Sequence, residues 1–232
     1  GLRVAVVERH VLAAGASSRN AGFLMRGAAE NYALAVKQYG RDLARTVWRW
    51  TEENLAGLRE EGIGTGVPTY RATPSCLLAL EDVELGELRE SERLLKEAGF
   101  RVGWMEAGTD AAWARGRPGK LRPLGGLVNP DDGACNPVDV MRFLARKLSR
   151  PVDEGQEVQA ITPADRGDGI IVRTTDGTFR AAHTLVCTNA YTPLLLPRDP
   201  AGAVRPRRGQ MLAIRAGSLK LDCSYYANHG YE

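Results

Sequence analysis

The sequence has no excess of either charge. Its 31 Lys and Arg stand against 28 Asp and Glu, a formal net charge of +3, so no polybasic surface argues for nucleic acid or an anionic membrane as a partner. No run approaches the roughly 18 to 20 apolar residues that a membrane-spanning helix needs, and the first residues do not read as a basic-then-apolar targeting segment; no transmembrane segment is expected. Cysteine is sparse and scattered. Cys76, Cys135, Cys187 and Cys223 include no C-x-x-C pair, which argues against a disulfide framework or zinc site and for reduced thiols in a cytoplasmic setting. No metal site is expected. An initiator Met and a polar C-terminal tail are also missing: Gly1-Leu2 runs straight into Val4-Ala5-Val6-Val7, and the chain stops among strand and turn residues at Tyr225 to Glu232. The chain reads as a fragment beginning and ending mid-fold.

What is present is an ordinary α/β composition, with 44% hydrophobic and 25% charged residues, enough to bury a core. Leu2 to Val7 reads as one strand of a buried parallel sheet, closed by Glu8. Ala13 to Gly22 is small and polar and reads as a loop. Between Gly40 and Gly62, Leu43, Val47, Trp50, Leu55 and Leu58 recur at helical spacing, so a helix is expected over 41–61. A strand over 75–80 followed by a helix over 83–98, with Leu88, Leu94, Leu95 and Ala98 on its apolar face, makes a pair. Asn136-Pro137-Val138-Asp139 opens a third helix with an N-cap, a first-position proline and an acid in the first turn, and Met141, Leu144 and Leu148 are expected to face inward. Beyond Pro151 the texture becomes β-rich: 158–161, 169–174, a turn at Asp176-Gly177, 178–180 and a return strand at 184–187. Arg205 to Ile214 reads as the start of another sheet, with Ser224 to Tyr226 pairing nearby. No internal repeat or long linker separates independent domains, so two domains are expected to interleave.

Glu8 is the first candidate functional residue, because an acid at the carboxyl end of a hydrophobic parallel strand is placed to accept hydrogen bonds from a ribose diol. Next to it, Ser17, Ser18, Arg19 and Asn20 put hydroxyl, guanidinium and amide donors on a glycine-flanked loop, as pyrophosphate and a polar ring edge would require. From Val4 to Gly22 this segment resembles the second strand and following loop of the FAD-dependent D-amino-acid oxidase family, which includes the glycine and sarcosine oxidases. Three more blocks are similar to that family in the same order: Asp132-Gly133-Ala134-Cys135-Asn136-Pro137 before a helix, Leu185 to Pro193, and Pro206-Arg207-Arg208-Gly209-Gln210-Met211-Leu212.

The resemblance implies an α/β fold with α+β elements: an incomplete FAD/NAD(P)-binding Rossmann-like domain interleaved with a substrate-binding mixed-sheet domain. Residues 1–70 and 131–204 would then be FAD-binding segments, and 71–130 and 205–232 substrate-domain segments. It also implies roles. Glu8 would bind the adenosine ribose and Arg9 would lie beside the adenine, while Ser17, Arg19, Asn20, Ala21 and Gly22 would line the pyrophosphate and isoalloxazine. Val158 would hold adenine through its backbone, Thr188 and Asn189 would form the strand-end turn beside the nucleotide, and Tyr226 is the one substrate-side candidate. Arg208-Gly209-Gln210 resembles the strand crossing into the substrate domain; the basic cluster Arg205, Arg207 and Arg208 also reads as a solvated face.

Departures matter as well. No G-x-G-x-x-G precedes Glu8, so the glycine loop and helix N-terminus that would hold the pyrophosphate are expected to be missing, as is the family's C-terminal half. These residues alone are therefore expected to bind FAD poorly and to be inactive. No Ser/His/Asp or paired-carboxylate constellation is present, and His10, His183 and His229 stand apart. That suits a chemistry in which the flavin takes a hydride equivalent from the carbon beside an amine or amino-acid nitrogen, leaving an imine. FAD is expected to be non-covalent, since no His or Cys has a recognisable attachment context, and the electrons would end on oxygen or another acceptor. A flavin-fold dehydrogenase acting on a hydroxy compound, and an inactive truncated flavoprotein module, are the alternatives. Strands without neighbours are expected to expose sheet edges and apolar surface.

Overall fold

The computed structural model describes residues 2–28, 30–108, 122–164, 169–196, 204–205, 209–212, 215, 217–218 and 221–227. In chain order these form β1 (Phe23–Leu24), α1 (Tyr32–Tyr39), α2 (Arg41–Glu60), α3 (Ile63–Gly66), β2 (Ser75–Ala79), α4 (Asp82–Glu97), β3 (Gly103–Glu106) and β4 (Gly125–Asn129). Then follow β5 (Gly133–Ala134), α5 (Pro137–Ala145), β6 (Val158–Pro163), β7 (Ile170–Thr174), β8 (Thr178–Ala181), α6 (Thr192–Leu195) and β9 (Ser224–Tyr226), with short 3-10 turns at Ala16–Ser18 and Asn189–Tyr191. The chain divides into two compact units: Gly1–Arg19 with Met141–Met211, and Asn20–Val140 with Leu212–Glu232.

The second unit is built on a four-stranded sheet of order β3-β4-β2-β9. The pairs β3/β4 and β2/β4 are antiparallel, Ser75 opposing Asn129 and Ala79 opposing Gly125, whereas β9 joins β2 in parallel, Ser224 opposing Ser75. Every residue of β2 is buried, the signature of a strand covered on both faces. One face carries Leu77, Ala79 and Leu127 under α1, α2 and α4, with Trp48 and Phe100 packed edge-on against Tyr32 at ring centroid distances of 4.9 Å and 6.1 Å. Burial of each large side chain here contributes about 1.5 to 3 kcal/mol. The other face carries Cys76, Leu78 and Cys223. Local chemistry starts the helices where it should: the Asn31 side chain accepts the Leu34 N–H at 3.0 Å, and Glu81 with Glu84 forms a capping box ahead of α4.

The expected face of α2 needs correction. Its buried residues are Ala44, Trp48 and Leu55, while Leu43 and Trp50 are 49% and 61% exposed. The tryptophan that meets Tyr32 takes the core, and the periodicity through Leu43 and Trp50 tracks the solvent side of the same helix. On α5 the buried residue is Phe143; Met141 and Leu144 are half-buried, and Leu148 lies beyond the helix end, exposed.

The first unit holds the antiparallel meander β6-β7-β8, turned at Asp176-Gly177 by the Thr174 N–H donating to the Gly177 carbonyl at 2.8 Å. Two expected strands do not form. Residues 2–7 make only an isolated parallel bridge between Val7 and Asp153, and Leu2, Val4 and Val6 are 92%, 50% and 38% exposed. Residues 184–187 carry no strand, and Leu185 is 87% exposed. Both segments are apolar and β-branched enough to be strands, but a strand exists only as half of a ladder, and neither has a ladder partner among the described residues. The described part of 205–214 likewise contains no strand; Arg207 and Arg208 lie outside the described residues.

Candidate functional site

In the first unit the residues around Glu8 are zipped to the turn at 153–156. The Asp153 N–H donates to the Val6 carbonyl at 2.8 Å, Glu8 N–H to the Asp153 carbonyl at 3.0 Å, Gln156 N–H to the Glu8 carbonyl at 2.8 Å and Gly155 N–H to the His10 carbonyl at 2.8 Å. Glu8 is thereby tied to that turn through both its N–H and its carbonyl, and it is half-buried. Its Oε1 accepts the His10 N–H at 2.8 Å, and among the described residues no hydrogen bond engages Oε2. A carboxylate so held offers an acceptor edge outward, as a vicinal diol requires.

Arg9 is held from two sides. Its Nη1 approaches Glu157 Oε1 at 3.4 Å, and its guanidinium lies 5.5 Å from the centre of the Tyr191 ring. That contact brings the Asn189–Tyr191 turn beside the end of the Glu8 segment. Asn189 has φ +46°, a left-handed conformation Asn tolerates better than most residues, and the Thr188 hydroxyl lies 3.0 Å from that of Thr192. Val158 begins β6, opposite Thr174, and is half-buried. Glu8, Arg9, Val158 and the 188–191 turn are thus joined through Glu157 and Tyr191, two residues that the sequence reading did not single out. Only a coupled pattern would have revealed them: an acid one residue before Val158 and an aromatic just past the strand-end turn.

Ser17 and Arg19 are exposed at the 3-10 turn, Arg19 donating its N–H to the Ala16 carbonyl at 3.1 Å; no described contact joins them to Glu8. Asn20, Ala21 and Gly22 belong to the second unit. Asn20 Oδ1 accepts the Gly22 N–H at 2.9 Å, and the Gly22 carbonyl accepts the Cys135 N–H at 2.9 Å. Gly22 has φ +73°, and a Cβ on it would stand 2.0 Å from the Cys135 carbonyl oxygen, so only glycine fits where β1 and β5 meet. Ala21 is exposed.

Tyr226 points into its own unit. It packs against the core cluster that holds Leu77 and Leu127. Burial, followed by the negative charge of Asp132, pushes its phenol well above the usual range. Behind it lies a polar network that the sequence did not announce. Ser75 Oγ donates to Asp132 Oδ2 at 2.6 Å, Asp132 Oδ1 accepts the Arg26 N–H at 3.1 Å, and the Arg26 guanidinium reaches Glu52, the Arg101 carbonyl and Asn129 Oδ1. The Asp132 side chain is fully buried and that of Arg26 is 2% exposed. Burial raises the Asp132 carboxyl against the lowering influence of Ser75 and Arg26. Among the described residues no three His, Cys, Asp or Glu side chains group as metal ligands, and no helix is long and apolar enough to cross a membrane. An open groove of about 320 Å³ along α2, lined by Arg45, Arg49 and Trp50 among others, contains none of the candidate residues.

A family model described as FAD dependent oxidoreductase matches residues 1–229. The gamma-glutamylputrescine oxidoreductase of Escherichia coli (strain K12) is 26% identical over 191 residues, 82% of this chain and 44% of that protein. Glycine oxidase from Geobacillus kaustophilus shares the fold with a TM-score of 0.58 at 23% identity, covering 84% of this chain and 50% of the other. L-Proline dehydrogenase from P. horikoshii gives a TM-score of 0.60 at 14% identity, over 87% of this chain and 50% of its own. The chain spans about half the length of the relatives it matches.

Proposed function

Because this chain belongs to the FAD dependent oxidoreductase family, we propose that the protein it comes from oxidises a primary or secondary amine or an amino acid to an imine. Bound FAD supplies the two-electron acceptor for the hydride leaving the carbon beside nitrogen. The observation that carries this reading is the match to gamma-glutamylputrescine oxidoreductase over 82% of the chain; the geometry at Glu8 supports the cofactor.

The residues present fit the adenosine end of that cofactor. Glu8 offers Oε2 to the ribose diol while the His10 N–H holds Oε1, and its negative charge disfavours a 2′-phosphate. Arg9, fixed between Glu157 and Tyr191, gives the adenine a flat cationic neighbour, and Val158 offers backbone atoms beside it. Thr188 and Asn189 bring backbone close to the nucleotide. Ser17 and Arg19 are the donors for the pyrophosphate, with Asn20, Ala21 and Gly22 following toward the ring system. The attachment is non-covalent, and the substrate is a small molecule whose electrons pass on to oxygen or another acceptor.

The test uses the gene product that contains this sequence. After denaturation, the flavin is expected in the supernatant as unmodified FAD. Under anaerobic mixing, amines or amino acids are expected to bleach the flavin absorbance while hydroxy compounds leave it unchanged. Bleaching by hydroxy compounds alone, or flavin that stays with the precipitated chain, overturns the corresponding part of the proposal.

A further inference from the structure

The face of the second unit's sheet opposite the helices holds two cysteines with no part in the reading above. Cys76 is the second residue of β2 and Cys223 lies in the bend that leads into β9; they are 1% and 8% exposed and share one buried cluster with Leu78. Parallel pairing of β9 on β2 sets Tyr225 opposite Cys76, and Cys223, two residues earlier, packs in the same buried cluster as Cys76. The two side chains pack together there, and each shifts the other's titration. Room for this contact comes from β4: a Cβ on Gly126 would lie 2.5 Å from Cys76 Sγ. Among the described residues Cys135 and Cys187 have no such neighbour; one is half-buried and the other exposed.

We infer that Cys76 and Cys223 are a dithiol site that hydrogen peroxide converts to an intramolecular disulfide, tying β2 to the entry of β9. The two sulfurs have different tasks. Cys223 is the more accessible, and its ionised form accepts the hydrogen bond from Cys76, which lowers its pKa; Cys76 is raised by that same bond and by burial. Cys223 is therefore the attacking thiolate. Its sulfur takes the distal oxygen as the O–O bond breaks, giving a sulfenic acid and hydroxide, which is protonated to water. Cys76 then loses its proton and attacks the sulfenic sulfur; the S–S bond forms, the S–O bond breaks and a second water leaves. In sum, two thiols are oxidised, one peroxide is reduced, and two waters form. Cys223 sits in the bend at 222–223 and outside the ladder, so the backbone that must shift to reach the S–S distance of about 2.05 Å is not part of the β2–β9 pairing. The reaction needs no flavin.

The test treats the folded gene product that contains this sequence with hydrogen peroxide, blocks the remaining thiols and digests with trypsin without reductant. The expected product links peptide 72–89 to the tryptic peptide that begins at Leu221, with two hydrogens and two free thiols lost. In a urea-unfolded control the pairing is expected to scatter over all four cysteines. In C76S, dimedone is expected to trap a sulfenic acid on Cys223, while C223S leaves Cys76 a thiol. A link involving Cys135 or Cys187 in the folded chain, the same pairing pattern in urea, or Cys223 oxidised with Cys76 unlinked would each overturn the inference.

Discussion

Replacing Asp132 by alanine tests the buried network that joins β2, β4, α2 and the turn after β4. The carboxylate accepts two hydrogen bonds, from the Arg26 N–H at 3.1 Å and the Ser75 hydroxyl at 2.6 Å, and stands 3.8 Å from Arg26 Nε. Hydrogen bonds to a charged group are worth about 1.5 to 3 kcal/mol each. Against them stands the desolvation of a fully buried carboxylate, which wins over its partners in setting the direction of its pKa shift. Alanine relieves that desolvation but strands the Ser75 hydroxyl and part of the buried Arg26 charge, which keeps Glu52 as a counterion. The expected net cost is that of breaking one side of a buried pair, about 3 to 5 kcal/mol. With a urea slope of about 2 kcal/mol per molar, the unfolding midpoint falls by roughly 2 M. Asp132→Asn, which keeps the shape and one acceptor, is expected to lose less than half as much. The pH dependence gives a second reading. A folded pKa above the unfolded one means that the folded chain holds the proton more tightly, so this group makes stability fall as pH rises from the ordinary carboxylate range, about 3.9, through its folded value; Asp132→Asn removes that slope. A midpoint shift below about 0.5 M for the alanine variant would refute the account.

Glu8→Gln is expected to weaken FAD binding by about 10- to 100-fold in the gene product that contains this sequence, the value of one charge-assisted bond to a ribose hydroxyl; fluorescence titration measures it, and unchanged affinity removes Glu8 from the site. Gly22→Ala forces a Cβ to 2.0 Å from the Cys135 carbonyl at φ +73° and is expected to cost about 2 kcal/mol or more, read by thermal unfolding; a shift within error would show that the β1–β5 junction yields freely. Leu185→Lys, at a side chain 87% exposed, is expected to change stability by less than about 0.5 kcal/mol while reducing self-association. Size-exclusion chromatography with no change in elution would count against an adhesive surface there.

Much of the fold was legible wherever local chemistry and packing agree. The capping signals of Asn136-Pro137, the expected helix over 83–98 beside α4 at Asp82–Glu97, and the meander with its turn at Asp176-Gly177 lie close to where the structure has them. What failed needed a partner distant in sequence. Leu2 to Val7 has strand composition but only a bridge to Asp153, and the buried side of α2 was decided by Trp48 finding Tyr32, an encounter that periodicity does not encode. At the candidate site, strand position picked out Glu8, but Glu157 and Tyr191 emerge only when the chain returns to Arg9. The network of Arg26, Ser75, Asn129 and Asp132 stayed invisible for the same reason: isolated polar residues in a sequence read as surface until folding buries them together.

The parallel strand β9 has a consequence for how the chain reaches its folded state. Ser224 must find Ser75 across most of the sequence, with the whole stretch 141–211 assigned to the other unit in between. On the ribosome, β2 and β4 can pair long before β9 exists, so the edge of β2 and the thiol of Cys76 stand uncovered until Ser224 to Tyr226 arrive. Such late, distant closure is slow and leaves a strand edge open to neighbouring chains in the meantime. The three residues of β9 are therefore a latch that closes on a strand made much earlier, and the chain's yield in folded form should depend on that closing step more than on any helix.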